Sequence, residues 1–214
     1  FGGYTEDRLA KRKMNDLWIR DEKGAWSEIS SEGLQQGYGE KTTWPGIRYG
    51  CMSASDGENL YICGGFSDDG DHIDIWEMNC RQMIWRNLSV DDECLNIPEK
   101  RYCAAMVYFE GALYLFGGRS RRYPKLNFND LWRFDLSALR WDKVHGHRET
   151  HLYGADATFP AYHAKSSVAL CEEYMYLWGG EGLHGHVSDF WRLNLKQLQW
   201  QLIQTARSDD PVHW

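Results

Sequence analysis

The stretch YLFGGRSRRYPKLNFNDLWRFDLSALRW, residues 114–141, contains the unit from which the chain is built. An apolar strand runs into the diglycine Gly117-Gly118, and two tryptophans, Trp132 and Trp141, follow it. The same order of features recurs at three other diglycines: Gly2-Gly3, Gly64-Gly65 and Gly179-Gly180. The second tryptophans of successive copies stand 56 to 59 residues apart. A period of this length indicates one structural unit that is repeated along the chain.

Each unit predicts four short antiparallel strands. In the second copy these are YGCMSAS, NLYICGG, IDIWEMN and MIWRNLS, and Asp56-Gly57 forms a turn between the first two. An Asp-Gly pair supplies the positive backbone angles that a tight hairpin requires. The diglycine ends the second strand because a side chain there would clash with neighbouring backbone. Repeated four-stranded units predict an all-β propeller, whose sheets pack face to face as blades.

The tryptophan pairs are predicted to be structural. Each such side chain can bury on the order of 150–250 Å² between adjacent blades. The eight paired tryptophans are therefore expected in the core: Trp18, Trp26, Trp76, Trp85, Trp132, Trp141, Trp191 and Trp200. Trp178 occupies the position of Phe116 before a diglycine, and it is predicted to lie in the core as well.

The four copies resemble the kelch repeat over essentially the whole chain. They read FGGY-NDLW-W, YICGGF-IDIW-W, YLFGGR-NDLW-W and YLWGGE-SDFW-W, with Pro-x-x-Arg ending at Arg48 and at Arg101. The resemblance implies a kelch-type β-propeller with blades near 1–31, 45–89, 98–145 and 160–204, and a further repeat starting in 205–214. Kelch rings usually close with six or seven blades, so we expect these four to be part of such a ring. A closed four-bladed ring is the alternative.

Composition narrows the classes of function. The net charge of −7 argues against a general nucleic-acid binder. No apolar run approaches the length of a transmembrane helix, so no membrane partner is expected. The six cysteines form no Cys-x-x-Cys motif and lie mostly in apolar strands. They are predicted to be reduced, buried thiols, which favours a cytoplasmic or nuclear location.

In a propeller, the loops between the second and third strands of each unit lie on the same face as the connections between blades. Kelch proteins usually bind their partners at this face. The loops are predicted at 66–73, 119–128 and 181–188. Arginines in the second of them suit an acidic peptide or a chain-terminal carboxylate, whereas a solvated basic loop is the alternative.

Candidate partner-binding residues also come from the Pro-x-x-Arg motifs. Their arginines either point to a ligand or cap carbonyls of the neighbouring blade. In a third copy the arginine position holds His163. The full set of candidates is Arg48, Tyr49, Arg101, Tyr102, Arg119, Arg121, Arg122, Tyr123, His163 and His184.

The predicted function is that of a protein interaction module. The C-terminal SDFWRLNL and PVHW resemble kelch-domain receptors of cullin ubiquitin ligases. This resemblance implies a non-catalytic subunit that recruits a protein or peptide substrate and contacts a cullin adaptor through further segments. A cytoskeletal or transcriptional scaffold is one alternative, and a metal-dependent propeller enzyme is another. The His-Gly-His pairs lack a carboxylate or thiolate at fixed spacing, so no metal, cofactor or catalytic residue is expected.

Overall fold

The computed structural model describes residues 1–7, 10–29, 44–89, 96–122, 126–146 and 158–204. Regular structure in these ranges is entirely β, which confirms the all-β prediction. Every pair of neighbouring strands in the described ranges is antiparallel. Within each four-stranded sheet the spatial order of the strands follows their order along the chain.

The strands group into four blades. Blade one consists of two two-stranded sheets, from β1 Gly3–Asp7, β2 Ala10–Met14, β3 Leu17–Arg20 and β4 Trp26–Ile29. Blade two is a four-stranded sheet of β5 Met52–Ser55, β6 Asn59–Ser67, β7 Gly70–Asn79 and β8 Ile84–Asn87. Blade three contains β9 Ala105–Phe109, β10 Ala112–Phe116, β13 Leu131–Asp135 and β14 Arg140–His145, with a ribbon of β11 Arg119–Ser120 and β12 Leu126–Asn127. Blade four contains β15 Ser167–Cys171, β16 Tyr174–Gly182, β17 Gly185–Asn194 and β18 Gln199–Gln204.

Two of the predicted loops are largely strand. In blade two the register shifts between Cys63 and Gly65, after which pairing resumes and continues to Ser67 opposite Gly70. Blade four repeats this pattern beyond Trp178. The prediction of loops at 66–73 and 181–188 is therefore wrong, because strands two and three continue past the diglycine as a narrow hairpin. In blade three the ribbon replaces this hairpin.

In blades one to three the diglycine lies where the next blade's backbone crosses the second strand. Gly64 has a φ of +60°, and a Cβ atom on it would lie 2.6 Å from the carbonyl oxygen of Arg101. A Cβ on Gly117 would lie 2.5 Å from the carbonyl oxygen of His163. Both distances are well inside van der Waals contact, so residues other than glycine would force the blades apart. The predicted crowding is confirmed.

Alternate residues of the inner strands face opposite neighbours. In β6, Tyr61 and Cys63 pack in a cluster with Leu115 of blade three. Ile62, between them in sequence, packs in a cluster with Leu17 of blade one. A third cluster joins blades three and four. The period of two that defines a strand thus places blades two and three each between two apolar interfaces.

Burial of the tryptophans depends on whether a neighbouring blade covers them. Those of blades two to four are buried or half-buried, as predicted: Trp76, Trp85, Trp132, Trp141, Trp191 and Trp200. In blade one, Trp18 and Trp26 are exposed. The prediction for Trp178 is wrong, since its side chain is 60% exposed. Its counterpart Phe116 is covered by Phe159 and Trp200, but Trp178 lies on a face of blade four that no described residue covers.

The cysteines are more exposed than predicted. Cys63 is buried, Cys51 and Cys103 are half-buried, and Cys80 and Cys171 are exposed near strand ends. These five described cysteines are free thiols. Cys94 lies outside the described residues. Cys63 is buried inside β6, whereas Cys80 directly follows β7 and Cys171 is the last residue of β15, where the strands reach solvent.

Replacing Trp132 with alanine should lower the free energy of unfolding by about 3–5 kcal/mol. The side chain is 2% exposed and packs against Trp141 and Phe134 in the interface between blades two and three, so its removal leaves a large cavity. Urea unfolding measures the loss. The control is Arg121→Ala, an exposed change that should cost less than about 1 kcal/mol. Equal losses in the two variants would contradict the interblade packing.

Candidate partner-binding face

The candidate site is the end of the blades at which strands two and three are joined, here called the mouth face. It comprises residues 48–50, 66–72, 101–103, 119–122, 163–165 and 181–186. Short bridges hold its backbone: Tyr49 pairs with Phe66, Tyr102 with Arg119, and Ala164 with Glu181. In each bridge, the residue that follows the arginine or histidine of the Pro-x-x-Arg position pairs with the residue that follows a diglycine.

The motif arginines are buried in ion pairs. Arg101 donates to both carboxylate oxygens of Asp130, at 2.6 and 3.0 Å, and to the Gly117 carbonyl at 3.0 Å. Arg48 makes the same contacts to Asp74 and to the Gly64 carbonyl. Burial corrects the prediction that these arginines bind a partner directly. The alternative of carbonyl capping is observed, although each arginine caps its own blade and not the neighbouring one.

The aspartates of these pairs are held in the charged form. Burial alone would raise the pKa values of Asp74 and Asp130. Hydrogen bonds and charge from Arg48 and Arg101 outweigh burial, so both pKa values lie below the usual range. Removing one member of such a buried pair typically costs about 3–5 kcal/mol, because the other charge is left uncompensated. These pairs are part of the scaffold.

The aspartate of each repeat was not among the predicted site residues. It stands two residues before the first tryptophan, whose indole N–H donates to it in all four blades. The pairs are Trp18 with Asp16 at 2.7 Å, Trp76 with Asp74 at 2.6 Å, Trp132 with Asp130 at 2.7 Å and Trp191 with Asp189 at 2.5 Å. The repeated Asp-x-Trp spacing was the signal available in the sequence.

In blade four His163 takes the place of the arginine. Its ring is buried, and Nε2 lies 3.2 Å from Asp189 Oδ1, but the two atoms are not aligned for a hydrogen bond. The Ser166 hydroxyl donates to the Gly179 carbonyl at 2.7 Å, the contact that arginine makes in blades two and three. Burial lowers the pKa of His163, and the Asp189 charge offsets only part of this effect. His163 is therefore also a scaffold residue, which corrects its prediction as a partner-binding residue.

Three aromatic rings pack together beside these joints. Tyr49, Phe66 and Tyr102 have ring centroids 5.5 to 6.2 Å apart. Tyr102 is buried, with the guanidinium of Arg119 5.0 Å above its ring centroid. Tyr49 and Phe66 are half-buried. The cluster brings residues of blades two and three into one apolar patch within the mouth face.

The basic loop of blade three lies on this aromatic cluster. The Arg121 guanidinium is 4.6 Å from the centroid of Phe66. The Asp71 carboxylate fixes the loop by accepting from the Ser120 hydroxyl at 2.6 Å and from the Arg121 backbone N–H at 2.7 Å. Arg121 and Arg122 are exposed, and neither guanidinium forms an ion pair within the described part of the chain.

The two remaining candidates are Tyr123 and His184. Tyr123 is outside the described residues. His184 is exposed in the turn between β16 and β17. Partner binding by Tyr49, Tyr102, Arg119, Arg121, Arg122, Tyr123 and His184 stays a prediction.

An ion-pair bridge joins blades three and four across the mouth face. The Glu181 carboxylate accepts from Arg119 at 2.6 Å through Oε2 and from Lys165 at 2.7 Å through Oε1. Burial alone would raise the pKa of Glu181, but the bonds and charges of Lys165 and Arg119 hold it below the usual range. Lys165 was not among the predicted residues.

A separate groove of about 840 Å³ lies between blades two and three. Its lining mixes apolar residues such as Ile97 and Trp141 with charged ones such as Lys100 and Lys143. Within the described ranges, no group of three or more His, Cys, Asp or Glu residues is placed to hold a metal ion. The same ranges contain no helix long and apolar enough to cross a membrane.

His163→Arg should make stability less dependent on pH. In the wild type the unfolded chain takes up a proton below about pH 6.5 that the buried imidazole takes up only at lower pH, so stability falls as pH decreases through this range. An arginine stays charged and can pair with Asp189 as Arg101 pairs with Asp130. The unfolding free energy of His163→Arg should therefore exceed that of the wild type by an amount that grows as pH decreases below 6.5, by up to about 1.4 kcal/mol per pH unit.

Urea unfolding at pH 5, 6, 7 and 8 measures this difference. His72, whose pKa is also lowered by burial, is present in both proteins, so the difference between the curves isolates position 163. Parallel curves would show that His163 is not held neutral by the fold.

Known proteins share both the repeat and the architecture. The family described as the KLHDC2/KLHL20/DRC7 Kelch-repeats domain matches residues 1–149 and 94–212. Kelch domain-containing protein 10 of Xenopus tropicalis is 23% identical over 181 residues, which cover 78% of this chain and 40% of that protein. Its Drosophila melanogaster homolog is 26% identical over 211 residues, which cover 94% of this chain and 34% of that protein.

The structure of YjhT matches 98% of this chain and 66% of its own, with a TM-score of 0.65 at 15% identity, and supports the fold alone. The chain spans well under half the length of the curated relatives that it matches. These matches, together with the four-bladed β architecture, confirm the predicted kelch-type propeller. The chain belongs to the KLHDC2/KLHL20/DRC7 kelch-repeat family.

Proposed function

We propose that the mouth face binds a protein or peptide partner through an acidic segment or a C-terminal carboxylate. The kelch repeats make the chain a protein interaction module. The basic loop of blade three supports the acidic or carboxylate chemistry that we propose for the partner.

One observation carries this proposal: Arg121 and Arg122 are exposed on a segment, residues 119–122, that the fold holds in place. Asp71 binds this segment through Ser120 Oγ and the Arg121 backbone N–H, so it leaves the guanidinium groups available. A flexible segment would lose conformational entropy when it bound a partner, whereas residues 119–122 have already lost part of it. Guanidinium groups bind carboxylates in bidentate fashion, which gives direction as well as attraction.

The aromatic cluster supplies the apolar part of the same surface. Phe66 is half-buried beneath the Arg121 guanidinium, and the half-buried Tyr49 packs against Phe66. Aromatic side chains and arginine are the residue types that contribute most to protein interfaces. A peptide that places a carboxylate near Arg121 can therefore place an apolar side chain near Phe66.

We propose further that the chain recruits this partner to a ubiquitin ligase in the cytoplasm or nucleus. The support is the resemblance of SDFWRLNL and PVHW to cullin ligase receptors. Isolation of the tagged protein from fractionated cells tests both parts. A cullin that copurifies with it supports the ligase role, and its absence under conditions that retain other partners would favour an interaction scaffold.

Arg121→Ala/Arg122→Ala should weaken partner binding at least about tenfold, because charge-assisted contacts to carboxylate are lost. The probe is a fluorescein-labelled pool of random decapeptides with free C-termini, captured on the immobilised protein. The control is Arg81→Ala/Lys196→Ala, which removes the same charge from turns at the opposite ends of the strands. Capture should also weaken with salt.

All three proteins must unfold at the same temperature for this comparison. If the double variant of the basic loop captures the pool as well as the wild type does, the loop is only a solvated surface feature. If the control loses as much as the basic-loop variant, attraction by net charge explains the capture and the mouth face is not the site.

A further inference from the structure

Two aromatic rings cover the second tryptophan of the blade at two of the three described interfaces between blades. One ring belongs to the residue before the preceding blade's diglycine, and the other to the residue before the proline of the Pro-x-x-Arg position. Ring centroids in these groups are 4.7 to 6.0 Å apart. The groups are Trp85 with Phe1 and Trp44 between blades one and two, and Trp200 with Phe116 and Phe159 between blades three and four.

The interface between blades two and three has neither of these rings. Its two corresponding positions hold Cys63, before the diglycine, and Ile97, before the proline. The connection at 86–101 contains no aromatic residue in its sequence. Within the described residues, the second tryptophan of this interface, Trp141, makes ring contacts to two aromatic side chains of its own blade.

The groove of about 840 Å³ lies at this interface. Ile97 and Trp141 both line it, and Ile97 is 40% exposed. The Cys63 thiol lies 3.7 Å from the carbonyl oxygen of Ile73, which lines the groove as well. Protein interiors are close-packed, so small side chains at positions that elsewhere hold rings leave space between the sheets. The volume is within the range of about 300–1,000 Å³ that is typical of ligand sites.

The rim of the groove is cationic. Lys100 and Lys143 line it with exposed side chains, and neither forms an ion pair with a described residue. The two carboxylates of the lining, Asp74 and Asp142, already pair with arginines. A ligand that enters the groove therefore meets apolar walls and two ammonium groups that can pair with an acidic group.

We propose that the groove binds a segment of a partner protein that inserts an aromatic side chain between Ile97 and Trp141 and places an acidic residue near Lys100 or Lys143. The inserted ring corresponds to Trp44 and Phe159 of the two neighbouring interfaces. Aromatic side chains that fill a pocket are typical anchors of protein interfaces. The inference does not depend on the proposed function, because the basic loop takes no part in this site.

Ile97→Phe should weaken binding of such a segment at least about tenfold, because the new ring fills the groove from within as Phe159 does in its interface. The probe is the acetylated and amidated pentapeptide Ala-Asp-Trp-Glu-Ala with a fluorinated tryptophan, followed by fluorine NMR. The matched control is Ile84→Phe, the same change at a 51% exposed position of β8 that does not line the groove. It should bind the peptide as the wild type does.

A second substitution at the same position, Ile97→Trp, reproduces Trp44 and repeats the test if Ile97→Phe unfolds more easily than the wild type. Lys100→Met/Lys143→Met should weaken binding of the acidic peptide at least about threefold and leave a peptide with Asn and Gln in place of Asp and Glu unaffected. An unlabelled peptide with alanine in place of tryptophan should not compete with the probe.

The inference is overturned if the wild type does not bind the probe, or if Ile97→Phe and Ile97→Trp bind it as well as the wild type does. Competition by the alanine peptide would overturn it too, since charge and not the ring would then explain binding. If tryptophan amide alone binds as tightly as the peptide, the groove is a site for small aromatic molecules, and the assignment to a protein segment is wrong.

Discussion

The crossing of the first three diglycines by the next blade's chain is the contact on which the rest of the described structure depends. Glycine N–H groups donate to the crossing carbonyl, from Gly65 to Arg101 at 3.0 Å and from Gly118 to His163 at 2.7 Å. The Arg101 side chain then pairs with Asp130 of its own blade, and the His163 ring lies beside Asp189 of its own blade. One residue therefore joins two sheets, its backbone to the preceding blade and its side chain to its own.

This joint determines what the mouth face can present to a partner. The residues next to it in sequence, Tyr49 and Tyr102, are fixed by bridges to the residues after the diglycines. The aromatic cluster and the arginines that lie on it follow from that backbone. Because the joint pairs the buried arginines with aspartates, the cations that a partner can reach in the described part of this face lie further from the joint, as Arg119, Arg121 and Arg122 do. The scaffold and the candidate site thus use the same chain segments but different side chains.

Much of the fold could be predicted from the sequence, because the repeat is local and its glycines have one physical explanation. The roles of the arginines could not. Pro-x-x-Arg and the basic loop both offer guanidinium groups, and only the structure shows that Asp74 and Asp130 bind the first kind. Trp178 shows the same limit, since its strand position matches that of Phe116 but burial depends on which blade lies against it. The bridge at Glu181 joins residues of two blades and has no local pattern.

The exposure of each ion pair separates the charges that hold the propeller together from those that can take part in binding. Arg101 is enclosed with Asp130, so a ligand would have to break a pair that the interior cannot leave open. Arg119 is paired with Glu181 at the surface, where water solvates both charges. Arg121 has an aromatic ring in place of a carboxylate as its neighbour. The guanidinium groups are therefore less committed to partners within the chain as their distance from the joint increases, and this is why the proposed carboxylate contacts are assigned to the loop of blade three.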